Sequence, residues 1–278
     1  ISTRKYVNAQ QPPQSNASAT ARETETKMTT NITDLYGHRF EQLQEQLQHV
    51  SENAFYQELY GSSTVDPAEV SSLDEFQELP FVTTGQLSDA VLGADDYGPF
   101  FDTDVNRTYV TPAGDGLMPL YYTQDDWDRM TDAIGSRFKE IGIGDGDLVL
   151  NTIGYTPFLA GMLMHDGITK TGAVPVPAGA GDSEGAVGLA ELYDIDAAVG
   201  FPSYIEKVAK QADLSLDVLI SAGEPVIYYP ERREELREVV GGADTVVDIY
   251  GLAAGGTVAA EDDSEDGEDD GGDTIIDI

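Results

Sequence analysis

The chain has 278 residues, 40% of them hydrophobic and 9% aromatic, with 29 glycines and 13 prolines. That is enough apolar material for a real core, which excludes wholesale disorder, and enough length for one large domain or two smaller ones. Lys and Arg number 15 against 51 Asp and Glu, a net charge of −36 that repels phosphate backbones and anionic lipid surfaces, so no nucleic-acid and no membrane partner is expected.

Residues 1–27 are rich in Gln, Asn, Ser, Thr and Pro and carry Arg4, Lys5, Arg22 and Lys27 against Glu23 and Glu25, net +2, which leaves −38 on residues 28–278. Without an apolar stretch this leader is no secretory signal. It reads either as a disordered arm or, the favoured alternative, as upstream sequence ahead of a natural start at Met28. From Leu35 the apolar positions Phe40, Leu43, Leu47 and Val50 recur at helical steps and predict one packing face. A short helix over 54–60 is closed by Gly61, and Ser72 with Glu75 three residues on reads as a capping box. Residues 94–119, rich in Gly, Asp and Pro, are expected as loop.

Beyond Asp125 helices alternate with short apolar runs. Helices are predicted over 125–141, 157–171 (with Pro157 in its first turn), 183–193, 203–211 and 230–240, and strands over 147–153, 173–177, 197–200, 217–220 and 245–250. Such alternation means an α/β fold with a mostly parallel sheet flanked by helices, preceded here by a helical segment. The expected division is a leader 1–27, a helical segment 28–105, an α/β domain 106–260 and an acidic linker with a terminal strand 261–278. Ten acidic residues fall within 261–277, which leaves 41 spread over the rest of the chain. Acid so distributed, with few lysines, points to the surface of a protein from a high-salt, haloarchaeal cytoplasm. The acidic run lacks the spacing of a calcium loop and reads as a solvated linker.

The chemistry available is narrow. With no cysteine there is no disulfide framework, thiolate nucleophile or thiolate metal site, and His38, His49 and His165 do not fall at metal-ligand spacing. No apolar run approaches the ~20 residues of a bilayer span, so the chain reads as soluble and cytoplasmic. In parallel sheets, ligands collect at the loops after the strands' carboxyl ends. Here those loops are Gly154-Tyr155-Thr156-Pro157, Ser221-Ala222-Gly223-Glu224-Pro225 and Tyr250-Gly251-Leu252-Ala253-Ala254-Gly255-Gly256. Their small residues let a ligand approach the backbone, and Tyr250 offers a flat face for a purine. Each loop alone is more often a plain turn.

Taken in order, these segments resemble the adenylate-forming acyl-CoA ligases, and among them the phenylacetate-CoA ligase branch. The likeness runs over roughly 35–260, through Asn53 to Tyr60, Val65-Asp66-Pro67, Leu79 to Thr84, Gly154-Tyr155, Gly161, His165-Asp166-Gly167 and Gly172 to Pro177. It continues through Pro202-Ser203-Tyr204, Gly223-Glu224-Pro225 and Asp248-Ile249-Tyr250-Gly251-Leu252. The resemblance implies activation of a small-molecule carboxylic acid by ATP to an acyl-adenylate, then capture by coenzyme A, with Mg²⁺ if the chain is active. It implies that Tyr250 and Gly251 take adenine, with Asp248 beside them, and that Gly223, Glu224 and Pro225 flank the nucleotide. Thr111, Gly114 and Gly116 stand in an altered phosphate loop, and Tyr155, Phe158 and His165 stand at the acyl pocket. Plain helix core competes with the pocket role for Phe158 and Met162, and a satisfied helix-end histidine competes for His165.

Departures from the family pattern are specific. Asp115 and Met118 stand where a phosphate-facing loop has small polar and basic residues, and Pro112 removes an N–H donor. Ala253 and Ala254 replace the hydroxyl and carboxylate that would serve magnesium. The sequence ends before the ribose-binding Asp, the hinge and the small lid domain whose lysine assists adenylation. A non-catalytic nucleotide- or acyl-binding relative is therefore the rival expectation, and a homo-oligomer or a partner chain carrying the lid are arrangements left open.

Overall fold

The computed structural model describes residues 37–95, 97–98, 100, 104–226, 228–252, 256–261 and 275–277; the leader 1–27, Met28, Ala253, Ala254 and the acidic stretch 262–274 lie outside the described residues. The chain divides into two compact units, one ending at Val82 and the other beginning at Thr83.

In the first unit, helix α1 covers 37–51 and the predicted stripe faces inward: Leu47 is buried with Val70 and Leu79, and Phe40, Leu43, Val50, Tyr60 and Val65 pack against them. Helix α2 (Ala54–Tyr60) starts at Asn53, whose side chain accepts from the Phe55 N–H, and stops at Gly61. A 3₁₀ turn over Pro67–Glu69 leads to α3 (Leu73–Gln77), where the Ser72 hydroxyl accepts from the Glu75 N–H. The capping box is displaced by one residue, since the Glu75 carboxylate accepts from the N–H and hydroxyl of Ser71 rather than from Ser72.

The second unit opens with α4 (Thr84–Leu92), held by a full capping box between Thr83 and Gln86. Residues 107–122, expected largely as loop, instead form a hairpin of β1 (Arg107–Ala113) and β2 (Gly116–Tyr122), paired antiparallel from Arg107↔Tyr122 to Ala113↔Gly116. The Gly and Asp that suggested a long loop occupy a two-residue turn, Gly114-Asp115, while the alternating Tyr109, Thr111, Met118 and Leu120 carry the strand pattern. Helix α5 (Gln124–Glu140) has a capping box from Thr123 to Asp126, acidic residues in its first turn and Arg137 and Lys139 in its last, which complements the helix dipole at both ends.

From here strand and helix alternate as predicted through β3 (Leu148–Asn151), α6 (Leu159–Thr171), β4 (Val174–Pro177), α7 (Ser183–Leu192), β5 (Ala197–Gly200), α8 (Pro202–Ala212), β6 (Val218–Ala222), α9 (Pro230–Val239) and β7 (Thr245–Leu252), followed by β8 (Gly256–Glu261), which was not expected, and β9 (Ile275–Asp277). The sheet order is β4-β3-β5-β6-β7-β8-β9, with the first five strands parallel and β8 and β9 antiparallel. Two expected boundaries move. Pro157 precedes α6 rather than starting it, with Phe158 as the N-cap and the Pro157 carbonyl accepting the Val110 N–H at 2.9 Å. Strand β7 runs past its expected end at Tyr250 through Gly251 and Leu252, which were expected in a loop, because β8 pairs with it across a bulge at Tyr250/Gly251.

The central strands are apolar on both faces because helices cover both. Val149, Val199, Ile220 and Val247 pack on one side with α5 and α6 through Trp127, Ile134, Phe138, Leu163 and Ile168. Leu150, Ala198, Leu219 and Val246 face the other side, against Ala186 of α7, Ile205 and Val208 of α8 and Leu236 of α9. One-residue alternation thus sorts each strand between two cores, and a register slip would exchange them. Edge strand β4 carries Pro175 and Pro177, which withhold N–H donors from further pairing.

On the α8–α9 surface Glu206 is held by Arg232 and by Lys210 at 2.5 Å. The Arg232 hydrogen bond, then that of Lys210, lowers the Glu206 carboxyl below its usual range. A carboxyl depressed on folding stabilises the native state above its unfolded value, near pH ~4.3, and that contribution fades as pH falls through the lower folded value. Glu206→Gln is expected to cost about 1 kcal/mol at pH 7 and nothing at the acid end of that window. Paired denaturant melts at pH 7 and pH 3 check this; an equal cost at both would show that the ion pairs contribute nothing.

Candidate functional site

At the carboxyl edge of the parallel strands lies a cavity of about 260 Å³. Its walls come from five places in the fold: β1 (Val110, Thr111), the segment after β3 with the first turns of α6 (Ile153, Phe158, Leu159, Ala160, Leu163, Met164), the residue after β5 (Phe201), the end of β6 (Ala222, Gly223) and the end of β7 (Ile249 to Leu252). The hairpin reaches this edge through a parallel bridge from Val110 to Phe158. None of these lining residues is charged. Three exposed aromatic side chains surround it: Phe158 is 43%, Phe201 40% and Tyr250 57% exposed.

The cavity gathers Thr111, Gly223, Tyr250, Gly251 and Phe158 from the sequence-selected residues, and leaves the others beside it. Gly114 and Gly116 stand at the turn of the hairpin, beyond the lining. Met118, aligned with a basic phosphate-loop position, is 2% exposed and belongs to the core. Glu224 turns away to the start of α8, where its carboxylate accepts from the Ser203 N–H at 3.0 Å and the Ser203 hydroxyl at 2.6 Å. That contact replaces the missing N-cap side chain, since Phe201 has none to offer. Glu224→Ala is expected to lower stability by about 1 kcal/mol, read by denaturant unfolding, with Glu224→Gln retaining most of it. Pro225 leads into Val226, whose N–H donates to Asp248 Oδ2 at 2.7 Å, so Asp248 ties the loop after β6 to β7.

Gly223 has a positive φ of +79°, and a Cβ there would lie 2.5 Å from Phe201 Cε1. Glycine is required on both counts: only it adopts this backbone cheaply, and only its bare Cα lets the Phe201 ring come so close.

Tyr155 and His165 form a brace next to the cavity. The Tyr155 hydroxyl lies 3.0 Å from His165 Nδ1 and accepts from Asn151 Nδ2 at 2.9 Å. Asn151 also donates to the Gly161 carbonyl at 2.9 Å, fastening β3 to the first turn of α6. Burial above all pushes the Tyr155 phenol up to about 12, so it remains protonated at neutral pH. Which of the Tyr155 hydroxyl and His165 Nδ1 donates in their contact follows the histidine tautomer. His165 sits in mid-helix, satisfied by Tyr155, and not at a helix end. Met162 packs against the core as its plain reading expects, whereas Phe158 is no core residue.

Phe201 and the α6 residues Leu163 and Met164 carry no motif likeness. The strand-end criterion that selects Tyr155, Gly223 and Tyr250 applies equally to Phe201, which directly follows β5. No signal in the sequence separates Leu163 and Met164 from ordinary helix core.

This fold, a mostly parallel α/β sheet with helices on both faces, matches that of solved acyl-CoA ligases. Crystal structures of 2-hydroxyisobutyryl-CoA ligase show it: the open conformation in complex with 2-HIB-AMP and CoA superposes with a TM-score of 0.70 at 23% identity over 78% of this chain and 54% of that one. The postadenylation state of the same ligase, in complex with 2-HIB-AMP, gives 0.70 at 21% identity over 81% of this chain and 51% of that one. In sequence the chain is 26% identical over 237 residues to phenylacetate-coenzyme A ligase of Pseudomonas putida, covering 81% of this chain and 52% of that protein. It is 27% identical over 227 residues to the Aromatoleum evansii protein of the same name, covering 77% and 50%. These likenesses support the adenylate-forming ligase family. No family model matches the chain. The chain spans about half the length of the curated relatives it matches.

Proposed function

We propose that this chain is the nucleotide- and acid-binding portion of an AMP-forming acid–CoA ligase of the phenylacetate-CoA ligase type. The observation that carries the reading is the uncharged, aromatic-rimmed cavity at the carboxyl edge of the sheet, which gathers Thr111, Gly223, Tyr250, Gly251 and Phe158 from four separate segments. Tyr250 supplies a stacking face for the purine, Gly223 and Gly251 allow close backbone approach, and the Thr111 hydroxyl is available to a phosphate oxygen. Phe158 and the apolar first turns of α6 form the wall for the acid, with Tyr155 and His165 bracing that wall. In the reaction so proposed, the acid's carboxylate attacks the α-phosphorus of ATP, pyrophosphate leaves, and the coenzyme A thiol displaces AMP from the acyl-adenylate. The proposed layout keeps 28–105 as helical segment and 106–260 as the binding domain, with a lid domain in the same or another chain.

Magnesium does not fit the described residues as a protein-held ion. No carboxylate lines the cavity, and no three His, Asp or Glu stand together among the described residues. No step is assigned to it.

A second reading is a non-catalytic relative that binds a nucleotide or acyl group. The absence of any cationic side chain in the described lining favours it, together with Met118 in the core and Asp115 at the exposed turn. ATP–pyrophosphate exchange with a panel of aryl and fatty acids decides between the two. Acid-dependent exchange establishes the ligase; AMP or acyl binding without exchange establishes the second reading; binding of neither overturns both.

The acidic surface fits a cytoplasm of high salt, where screening relieves self-repulsion. Stability is then expected to fall steeply as NaCl is lowered from molar to millimolar, and an unchanged melting temperature would remove that reading.

A further inference from the structure

Phe201 is the least explained residue of the cavity. It is a large apolar side chain left 40% exposed at the start of a helix, a position where a polar cap is the rule. In the sheet register Gly200 pairs with Ser221, and Ala222 with Ile249, so Phe201 emerges one residue below the level shared by Gly223 and Tyr250, on three adjacent strands. The backbones of the outer two are about 10 Å apart, two strand spacings. The Phe201 ring crosses part of that distance, because its edge occupies the space a Cβ on Gly223 would need. A large exposed aromatic at each side of a glycine, over a cavity lined by no charge, is a place for a flat, uncharged ring.

We propose that Phe201 is a specificity-determining residue, the second aromatic wall facing the purine of the bound nucleotide across Gly223 from Tyr250. The proposal rests on the nucleotide reading above and adds to it a residue outside the sequence motifs. Hydrogen bonding by side chains is scarce here, with Thr111 and Tyr250 the only hydroxyls in the described lining. Selection of the base then comes from stacked area, which favours purines over pyrimidines.

The test measures AMP and CMP affinities by calorimetry for the unaltered chain, Phe201→Ala and Phe201→Leu, with a melting curve for each. Phe201→Leu keeps the apolar packing on Gly223 while removing the flat face, so it reports even if the alanine variant unfolds. The expected result is AMP preferred over CMP by the unaltered chain, about tenfold weaker AMP binding in the variants, and a ratio near one, with melting of the leucine variant unchanged. An unchanged AMP affinity or an unchanged ratio in Phe201→Leu overturns the proposal while leaving the nucleotide reading intact. Loss confined to binding of an aryl acid, with AMP unaffected, also overturns it by assigning the ring to the acid. Absence of AMP binding by the unaltered chain overturns the nucleotide reading and this proposal together.

Discussion

Trp127→Ala is expected to destabilise the α/β unit by about 3–5 kcal/mol, the range for truncating a fully buried large aromatic. Trp127 is 2% exposed and joins elements that the chain separates widely. Its ring stacks on Tyr109 of the hairpin at 5.5 Å and 14°, meets Tyr122 edge-on at 6.3 Å, and lies 4.7 Å under the Arg107 guanidinium. Its indole N–H donates to Asp166 Oδ2 at 2.7 Å, which ties α5 to α6. Alanine removes the packing and leaves the half-buried Asp166 carboxylate without that donor, so two penalties add. Trp127→Phe isolates the second and is expected to cost about 1–3 kcal/mol. Urea melts followed by far-ultraviolet circular dichroism measure both, because Trp127 is the sole tryptophan and its fluorescence disappears with it. A cost below 1 kcal/mol for the alanine variant would mean that the hairpin is not anchored through this ring.

Gly161→Ala is expected to destabilise by about 2 kcal/mol, the reverse of what the same change does in an unobstructed helix. A Cβ at Gly161 would meet the Gly154 carbonyl oxygen at 2.3 Å and its carbon at 2.8 Å, and these are backbone atoms that no rotamer change can move aside. Relief requires the first turn of α6 to shift from the segment after β3, the same turn that places Leu159, Ala160, Leu163 and Met164 on the cavity wall. Ligand binding should therefore weaken along with stability. Gly188 of α7 is the control, since nothing stands within 4 Å of its added Cβ. Gly188→Ala should stabilise by about 1 kcal/mol through helix propensity alone. Opposite signs for the two variants check the account; two stabilised variants would show that α6 has room to move.

The legible parts of this chain were those where local and tertiary requirements agree. The Phe40, Leu43, Leu47, Val50 stripe and the alternation of strands and helices from Asp125 onward show in the sequence because burial on one face imposes a period, and a period needs no knowledge of partners. The hairpin at 107–122 did not show, because Gly114, Asp115, Gly116 and Pro119 dominate the composition while the strand alternation between them is short. Tyr250 was placed at the end of its strand, with Gly251 and Leu252 in the loop beyond. The strand continues through Leu252 because β8, which begins at Gly256, pairs with it, and the Gly and Ala of that stretch carry no strand pattern of their own.

The candidate site divides in the same way. The small and aromatic residues after β3, β6 and β7 mark the edge where a ligand can approach, since parallel strands end their apolar runs there. Whether a residue at that edge faces the cavity depends on its rotamer and neighbours. Glu224 leaves to cap α8, Asp248 turns to the Val226 N–H, and His165 is taken up by Tyr155. Phe201 enters because Gly223 leaves it space. Periodicity and composition are one-dimensional, so the sequence alone was sufficient for the element types from α5 to β7, the layered sheet and the edge that holds the cavity. Membership of the cavity is a matter of three-dimensional exclusion, in which two atoms cannot share one volume and each buried polar group takes its nearest partner, and that was decided by the packing of the folded chain.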